Sequence, residues 1–522
     1  MKLAPDNLPN DIDLLKQLLL ETLAAKDAEI AELKQSVQRL LEQFRLAQQQ
    51  RFGVSSESHD YQGELFNEAE VTLDEPAEST ADDVSVSPKK RAKRKPLPKD
   101  LPREIITHDI SEADKLCACG HQLTLMGQDS SEKLKFIPAQ ISVIEHVRLK
   151  YSCKHCDTKG TQANIKQAPV PVSPIPKGFA TPSLLSQLIT SKYQYALPLY
   201  RQETLFKQYG IELSRQTMSD WMMKSAALFK PLYDLLHQHL LTQGVLHADE
   251  TTLKVINDER VKSYMWVYCS GADRPSIEPR YKGVNSIVLY DYQDGSRAST
   301  CVSGFLATEH TVFNGYLQVD GYAAYQRAND KLVGCWAHAR RKFKDALVAQ
   351  GKNNTGKMSK ADMALNMIAK LYRIETKIQS LSLKERLYFR RTHSSAQLAT
   401  LKQWLDKSVQ QVSKQSALGR AIHYTINQWP KLSRYLEDGR LNIDNNRAER
   451  AVKPFVIGRK NWLFNHNHRG AEASAVLYSI IETAKSNGLT PFDYIEHCLE
   501  QLSHPNCDLS SLLPWRVKLG KA

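Results

Sequence analysis

The clearest pattern of apolar and polar positions lies near the N-terminus, in residues 11–50. Two seams there repeat every seven residues, with Glu, Gln and Lys between them. They consist of Leu23, Ile30, Val37 and Phe44, and of Leu19, Lys26, Leu33 and Leu40. Such heptads are typical of a coiled coil, so we predict one through which copies of the chain associate. The alternative is one amphipathic helix packed on its own chain, because the heptads are few and Lys26 interrupts a seam.

The apolar periodicity disappears in residues 51–105. Glu, Asp, Ser and Pro dominate first, and the run KKRAKRKPLPKDLPRE follows, which predicts a disordered linker that is acidic and then basic. Its densest part carries the positive charges of Lys89, Lys90, Arg91, Lys93, Arg94 and Lys95. These charges either add salt-dependent contacts to DNA phosphates or only solvate a tether.

The remaining pattern predicts a multidomain α+β protein, as the length of 522 residues also does. Residues 106–165 are predicted to form a zinc-binding module around a stretch that alternates as β-strands do, and residues 175–240 are helical. A mixed segment over residues 241–480 contains a helical insertion at about 341–440, and residues 481–522 form a C-terminal helical segment.

Charge and cysteine content narrow the class of protein. The net charge is +13 and the pI is about 9.1, which favours polyanionic partners. The sequence shows neither a membrane-spanning run nor a secretory signal, so we expect a cytoplasmic protein that is nucleoid-associated when bound to DNA. Nine cysteines without an export signal favour metal ligands over disulfides.

Two cysteine pairs have spacings that suit a metal ion. Cys117 and Cys119 form a C-x-C pair, and Cys153 and Cys156 form a C-x-x-C pair. Four thiolates favour a structural Zn²⁺ ion in tetrahedral geometry. Because C-x-C is shorter than the usual gap, His121 is an alternative ligand in the first pair.

A helix-turn-helix is predicted around residues 198–222. Gly210 ends a first helix, and Ser214 can cap a second one. The second helix opens with Arg215, Gln216 and Thr217, whose side chains can reach base edges in a major groove. A helical hairpin that does not bind DNA is the alternative interpretation.

Three acids stand where a metal-dependent nuclease needs them. Asp249 interrupts one strand-like run, Asp320 ends another, and Glu449 lies near the start of a helix. Unpaired carboxylates in apolar strands are costly, and a cation offsets that cost. We therefore predict two Mg²⁺ ions at these acids, with Mn²⁺ able to substitute.

The predicted order of strands and helices would bring the acids close together in space. The segments from Asp249 to KLVGCWAH predict β-β-β-α-β-α-β, the order of a ribonuclease-H-like fold, in which the first and fourth strands are neighbours. Two nearby acids compete for the same roles. Strand alternation points Glu250 away from Asp249, and Asp444 suits the N-terminal cap of the Glu449 helix.

Seven stretches along the chain form a combination that is specific to one known family. They are QRFGVSSE, CACGHQL, YSCKHC, LHADETTLKV, LQVDGYAAY, GCWAHARRKF and IDNNRAERAVKPFVIGRKNWLF. In these stretches the chain resembles the insertion-sequence-sixty-six family of bacterial transposases, over nearly its whole length. It implies that Asp249, Asp320 and Glu449 are the catalytic acids, and that the cysteine pairs form the zinc module. It also implies a ribonuclease-H-like core with a helical insertion, and accessory proteins from the same element. The C-x-C pair departs from the usual C-x-x-C.

Basic residues near the acids are candidate DNA contacts. Those after the fifth strand and along the Glu449 helix are Arg340, Arg341, Lys342, Lys453, Arg459 and Lys460. His338, in Cys335-x-x-His338, either touches the scissile phosphate or only packs. Trp462 either stacks on an unpaired base or belongs to the core.

The sequence therefore predicts a transposase that binds the terminal inverted repeats of its element and cleaves and joins DNA strands. Two alternatives remain open at this point. One is a DNA-binding regulator derived from a transposase, and the other is a nuclease without joining activity.

Overall fold

The computed structural model describes residues 11–52, 141–151, 166–351 and 358–519. Nearly all of the predicted linker and all the predicted zinc ligands lie outside these ranges. The chain divides into two compact units, residues 58–170 and the remainder. In the described part of the smaller unit, β1 (Lys150–Tyr151) pairs antiparallel with β2 (Lys166–Gln167).

The predicted N-terminal helix is confirmed as α1 (Ile12–Phe52). Its C-terminal half packs against α6 (Trp336–Gln350). Glu42 accepts a 3.0 Å hydrogen bond from the amide of Ala417, and Arg45 donates to the carbonyls of Ala349 and Gln350. The heptad seams lie elsewhere on the helix and are exposed, with Leu23 at 52% and Phe44 at 60%. The seams are therefore not what holds α1 on its own chain.

Three helices follow: α2 (Pro182–Tyr193), α3 (Leu199–Gln208) and α4 (Arg215–Leu241). The turn between α3 and α4 contains Gly210, whose φ of 76° suits a residue without a Cβ. Ser214 caps α4, as predicted, by accepting a 3.1 Å hydrogen bond from the amide of Thr217. Met218 and Trp221 face the core, which confirms the predicted buried side of this helix.

A five-stranded mixed sheet forms the centre of the larger unit. Its strands are β3 (Val245–Leu253), β4 (Ser263–Cys269), β5 (Val288–Asp291), β6 (Tyr316–Gln318) and β7 (Leu332–Val333). Their spatial order is β5-β4-β3-β6-β7. Strand β4 runs antiparallel to both β3 and β5, whereas β6 runs parallel to β3 and β7 runs parallel to β6. The strand sequence MWVYC in β4 is fully buried, so both faces of the sheet are covered.

The predicted order of elements is wrong at one point. Helix α5 (Ser299–Leu306) does separate β5 from β6, but only a 3₁₀ turn at Ala323–Arg327 lies between β6 and β7. Tyr325 in this turn is fully buried, and its hydroxyl binds Glu250 at 2.7 Å. The short connection thus anchors itself through one aromatic side chain rather than through a helical face.

A helical block separates β7 from the helix that carries Glu449. It contains α6, α7 (Lys360–Lys377), α8 (Leu383–Phe389), α9 (Ser395–Val409), α10 (Ala417–Asn427) and α11 (Trp429–Ser433). These helices share an apolar core of their own, which includes Phe343, Ile368 and Leu405. The fully buried Arg390 binds Glu375 and the carbonyls of Tyr435, Asp438 and Leu441. The block is therefore fixed to the segment that leads back to the sheet.

Three helices complete the unit: α12 (Asn446–Trp462), α13 (His468–Ser486) and α14 (Pro491–Leu502). Helix α12 packs on β3 and β4, and α13 packs on the edge strand β5. The hydroxyls of Ser479 and Thr483 accept hydrogen bonds from the amides of Tyr290 and Val288 at 2.8 and 3.0 Å. These bonds give partners to the amides at the edge of β5 that no neighbouring strand of the described sheet covers. None of the helices in the described ranges has an apolar stretch long enough to cross a bilayer.

Candidate active site

The register of the parallel strands places two of the predicted acids side by side. Val245 pairs with Tyr316, and His247 pairs with Gln318. Continuing this register by two residues sets Asp249 opposite Asp320, just past the end of β6. Neighbouring strands are about 4.8 Å apart, and residues separated by two positions share a face of the sheet. The structure therefore brings Asp249 and Asp320 together on one face.

Glu449 reaches the same place from the first turn of α12. Its charge acts directly on Asp249, together with that of Asp320. One carboxylate oxygen of Glu449 lies 3.5 Å from Nη2 of Arg341, and the other lies 3.5 Å from Nδ1 of His338. All three predicted acids thus converge, although Glu449 follows Asp320 only after the whole helical block.

Burial and the neighbouring negative charges disfavour the ionised form of Asp249. Burial raises the pKa of Asp249 to about 8, and the charges of Glu250, Asp320 and Glu449 add to the effect. The amide of Glu250 donates to Asp249 at 2.9 Å and opposes the shift only in part. The buried Oε1 of Glu449 has no hydrogen-bond partner among the described residues. Hard oxygen donors in this state fit a divalent cation.

Glu250 and Asp444, the two competing acids, have other partners. Glu250 is directed to the opposite face, where it accepts hydrogen bonds from Nε of Arg297 at 3.1 Å and from the hydroxyl of Tyr325. Asp444 accepts the amide of Asn446 at 3.2 Å, but the N-cap residue of α12 is Asn445, so the predicted cap position is wrong by one residue. Burial raises the pKa of both carboxyls.

Cys335 and His338 open helix α6 beside Glu449. The Cys335 sulfur, the His338 ring and the Glu449 carboxylate lie within 4.8 Å of one another. Burial raises the pKa of the Cys335 thiol, and its sulfur accepts the amide of Asn445 at 3.2 Å. Burial also lowers the pKa of His338. Both side chains therefore border the acid cluster in their neutral forms.

The basic residues predicted to bind DNA occupy different settings. Arg341 is half exposed beside Glu449, and Nζ of Lys342 lies 4.7 Å above the ring of Tyr424. Arg459 donates a 2.9 Å hydrogen bond to Thr252 on β3. Arg340 and Lys453 each interact with a neighbour, and Lys460 is exposed. The positive charges thus lie along α6 and α12, the two helices that meet at the acids.

Trp462 is packed against the core, whereas the residues at the start of α4 are largely exposed. Trp462 packs edge-on against Tyr193, with ring centroids 6.2 Å apart, which favours its core role. Arg215 and Gln216 are exposed at the first turn of α4, and Nε of Arg215 lies 3.0 Å from a carboxylate oxygen of Glu203. The side chain of Thr217 contacts the hydroxyl of Ser214 at 2.9 Å. Gln216 and the outer face of Arg215 remain accessible to a ligand.

The predicted zinc ligands Cys117, Cys119, Cys153 and Cys156, and the alternative His121, lie outside the described residues. Of the cysteines within the described ranges, Cys269, Cys301, Cys335, Cys498 and Cys507 are free thiols.

Sequence reasoning missed a layer of buried polar residues beneath the acids. His247 and Gln318 each precede an aspartate by two residues, and both bind the segment that leads into α12. Burial lowers the pKa of His247 to about 3, so its ring is neutral. The signal was present in the matching spacings of HAD and QVD, and in the polar run NIDNN.

Comparison with protein families decides the class of the chain. A model described as "Transposase IS66 family" matches residues 177–473, more than half of the sequence. The chain belongs to the IS66 transposase family. Three further models match this IS66-family protein in order along its length. They are "Transposase C of IS166 homeodomain" at 39–106, "zinc-finger binding domain of transposase IS66" at 114–157 and "IS66 C-terminal element" at 479–515.

Three similar curated proteins come from Sinorhizobium fredii (strain NBRC 101917 / NGR234) and are described as uncharacterized. The protein y4qI is 32% identical over 99% of both chains, and y4jD is 32% identical over 99% of this chain and 98% of its own. The protein y4hP is 31% identical over 88% of this chain and 85% of its own. No solved structure matches the chain.

Proposed function

We propose that this IS66-family protein is the transposase of a bacterial insertion sequence, which cleaves DNA at the ends of its element and joins those ends to target DNA. One observation carries the proposal: the register of β3 and β6 sets Asp249 beside Asp320, and α12 brings Glu449 to the same face. The strand order β5-β4-β3-β6-β7 supports a ribonuclease-H-like core around these acids.

Asp249, Asp320 and Glu449 would hold two Mg²⁺ ions, for which Mn²⁺ can substitute. Bound Mg²⁺ supplies activation of the attacking oxygen and stabilisation of the leaving oxygen in phosphoryl transfer. The protein's own residues supply the rest. Arg341 and the ring of His338 border Glu449, where a backbone phosphate would approach the acids. Glu250 remains bound to Arg297 and Tyr325 and takes no part in holding the ions.

DNA recognition rests on several parts of the chain. The net charge of +13 favours a polyanionic partner. We assign recognition of the terminal inverted repeats to the start of α4, with Arg215, Gln216 and Thr217, and to a structural zinc module formed by the cysteine pairs. The zinc-finger family match at residues 114–157 supports that module. Arg340, Arg341 and Lys342, with Lys453, Arg459 and Lys460, would hold the DNA backbone near the acids.

Self-association would use α1. Its heptad residues are exposed along a helix that is docked by a different side, so a second copy can cover them. We also propose that accessory proteins of the same element take part. No contact in the described residues identifies the surface that they use.

The metal assignment is tested by Asp249→Asn, with Glu250→Gln as the matched control on the neighbouring residue. Both proteins are incubated with labelled element-end DNA in Mg²⁺ or Mn²⁺, and end binding is measured separately in a chelator. We expect Asp249→Asn to lose cleavage and keep end binding, while Glu250→Gln cleaves. Mg²⁺-dependent cleavage by Asp249→Asn at the wild-type rate would overturn the proposal.

The joining step needs its own experiment, because hydrolysis and transposition share the first cut. A pre-cleaved end with a free 3′-hydroxyl is supplied together with target plasmid. We expect a joined product that depends on Asp249, Asp320 and Glu449. Cleavage of intact ends without any joining of pre-cleaved ends would identify a nuclease instead.

A further inference from the structure

A second pair of residues lies directly beneath the two aspartates. His247 and Gln318 are register partners on β3 and β6, two positions before Asp249 and Asp320. They share the face of the acids and are buried, at 4% and 0% exposure. With Asn442 and Asn445 they form a group that we name the polar layer.

The hydrogen bonds of His247 define one tautomer of its ring. The side-chain nitrogen of Asn445 donates to the carbonyl of Ala248 at 2.8 Å, so its oxygen is the atom that faces Nδ1 of His247 at 3.0 Å. Nδ1 is therefore the protonated nitrogen. On the other side, Arg280 donates to the oxygen of Asn442 at 2.6 Å, which leaves the Asn442 nitrogen to donate to Nε2 of His247 at 3.4 Å. Each ring nitrogen has one fixed role.

Gln318 holds the same segment from the second strand. Its side-chain nitrogen donates to the carbonyls of Asn442 and Asp444 at 2.6 and 2.9 Å, and its oxygen accepts the amide of Asn442 at 3.2 Å. Residues 442–445 are thus bound to β3 through His247 and to β6 through Gln318. A third anchor comes from Cys335, whose sulfur accepts the amide of Asn445.

This segment determines where Glu449 stands. Asn445 is the N-cap residue of α12, and its carbonyl accepts the amide of Glu449 at 3.3 Å, one turn along the helix. A buried polar group is costly unless its partners are in place, so the layer tolerates little displacement. Strand β3, which carries Asp249, and strand β6, which leads into Asp320, therefore also set the start of the helix that carries the third acid.

We propose that the polar layer positions Glu449 against Asp249 and Asp320, so that His247 and Gln318 are positioning residues for the metal site. The inference rests on the proposed function, because it assumes that the three acids bind divalent cations. Residues behind metal ligands commonly change metal affinity by about tenfold to a hundredfold when they are replaced.

The test uses two substitutions that remove the same ring. His247→Asn keeps a side-chain N–H near the position of Nδ1, whereas His247→Leu has a similar volume and no donor. Gln318→Met keeps the side-chain length and removes the amide, and it serves if His247→Leu does not fold. Thr483→Val is the matched control, because it breaks a buried hydrogen bond to β5 on the same sheet away from the acids.

Mn²⁺ binding to each full-length variant is measured by electron paramagnetic resonance, and thermal unfolding is measured in parallel. We expect His247→Leu and Gln318→Met to weaken Mn²⁺ binding by about tenfold or more. His247→Asn should stay within about threefold of the wild type, and Thr483→Val should lose stability without a change in Mn²⁺ affinity. Strand cleavage by His247→Leu should recover at high Mn²⁺.

Two results would overturn the inference. One is wild-type Mn²⁺ affinity in both folded variants that lack the layer's hydrogen bonds, and the other is an equal loss of affinity in Thr483→Val. Failure of the proposed function has a different signature, since Asp249→Asn would then bind Mn²⁺ as the wild type does. The two failures are distinguished by the same titration.

Discussion

Replacing Asp249 with Asn should make the metal-free protein more stable at alkaline pH while it removes catalysis. The reason lies in the crowding of carboxylates around this residue. Burial and the charges of Glu250, Asp320 and Glu449 hold the pKa of Asp249 at about 8 in the folded protein. Asn keeps the oxygen that accepts the amide of Glu250 and carries no charge.

The sign follows from proton binding in the two states. In the unfolded chain Asp249 ionises near its usual pKa of about 4, whereas the folded protein keeps the proton up to about pH 8. The unfolded state therefore binds fewer protons in this window, and the stability of the metal-free wild type falls as pH rises from 4 to 8. About four pKa units correspond to about 6 kcal/mol at about 1.4 kcal/mol each. Because burial also raises the pKa of the adjacent Glu250, whose charge acts on Asp249, we expect an observed gain of only about 1–3 kcal/mol.

The assay is thermal unfolding of both proteins in the same chelator, at pH 5 and at pH 8.5. A gain of this size raises the melting temperature by roughly 2–10 °C at pH 8.5, and the difference should shrink at pH 5. Adding Mg²⁺ at a hundredfold excess over its dissociation constant should then stabilise the wild type by about 2.7 kcal/mol and leave Asp249→Asn nearly unchanged. A metal-free Asp249→Asn that melts below the wild type at pH 8.5 would refute the reasoning.

Three other predictions concern separate parts of the chain. Glu250→Ala should cost about 1–3 kcal/mol in denaturant unfolding, because the buried hydroxyl of Tyr325 loses its partner; an unchanged midpoint would contradict this. Leu23→Glu combined with Ile30→Glu should shift the protein to monomer in analytical ultracentrifugation, since both side chains lie on the exposed seam of α1, whereas the exposed Gln17→Glu should not. Cys153→Ser should lose the Zn²⁺ ion that native mass spectrometry is expected to detect in the wild type, and a Zn²⁺ content equal to that of the wild type would remove Cys153 from the ligand set.

Local patterns were sufficient for the elements that pack by their own periodicity. The heptads predicted α1, and Gly210 with Ser214 predicted the turn and cap before α4. Alternation also directed Glu250 away from Asp249, because strand geometry allows only one of two adjacent side chains on each face. These inferences needed no knowledge of distant residues.

Contacts between residues that are far apart in the sequence could not be predicted from local patterns. The segment after Asp320 was expected to be a helix, but its conformation depends on Tyr325 reaching Glu250 across the sheet. The polar layer was not predicted because His247 and Asn445 are separated by nearly 200 positions. Only the register of β3 with β6 places His247 beside Gln318, which binds the same segment. The role of a buried histidine is determined by its tertiary contacts, which the local sequence does not show.

The docking of α1 would set the distance between the acid clusters of two copies if the chain self-associates as proposed. Glu42 and Arg45 fix the helix to the helical block, and Arg45 does so at the end of α6. With 41 residues, α1 is about 60 Å long at about 1.5 Å per residue. If two copies pair along the exposed seam of α1, the length and docking of the helix fix the distance between their acid clusters. Under the proposed function, the distance between two cleavage sites on DNA would then be a property of the protein rather than of the DNA.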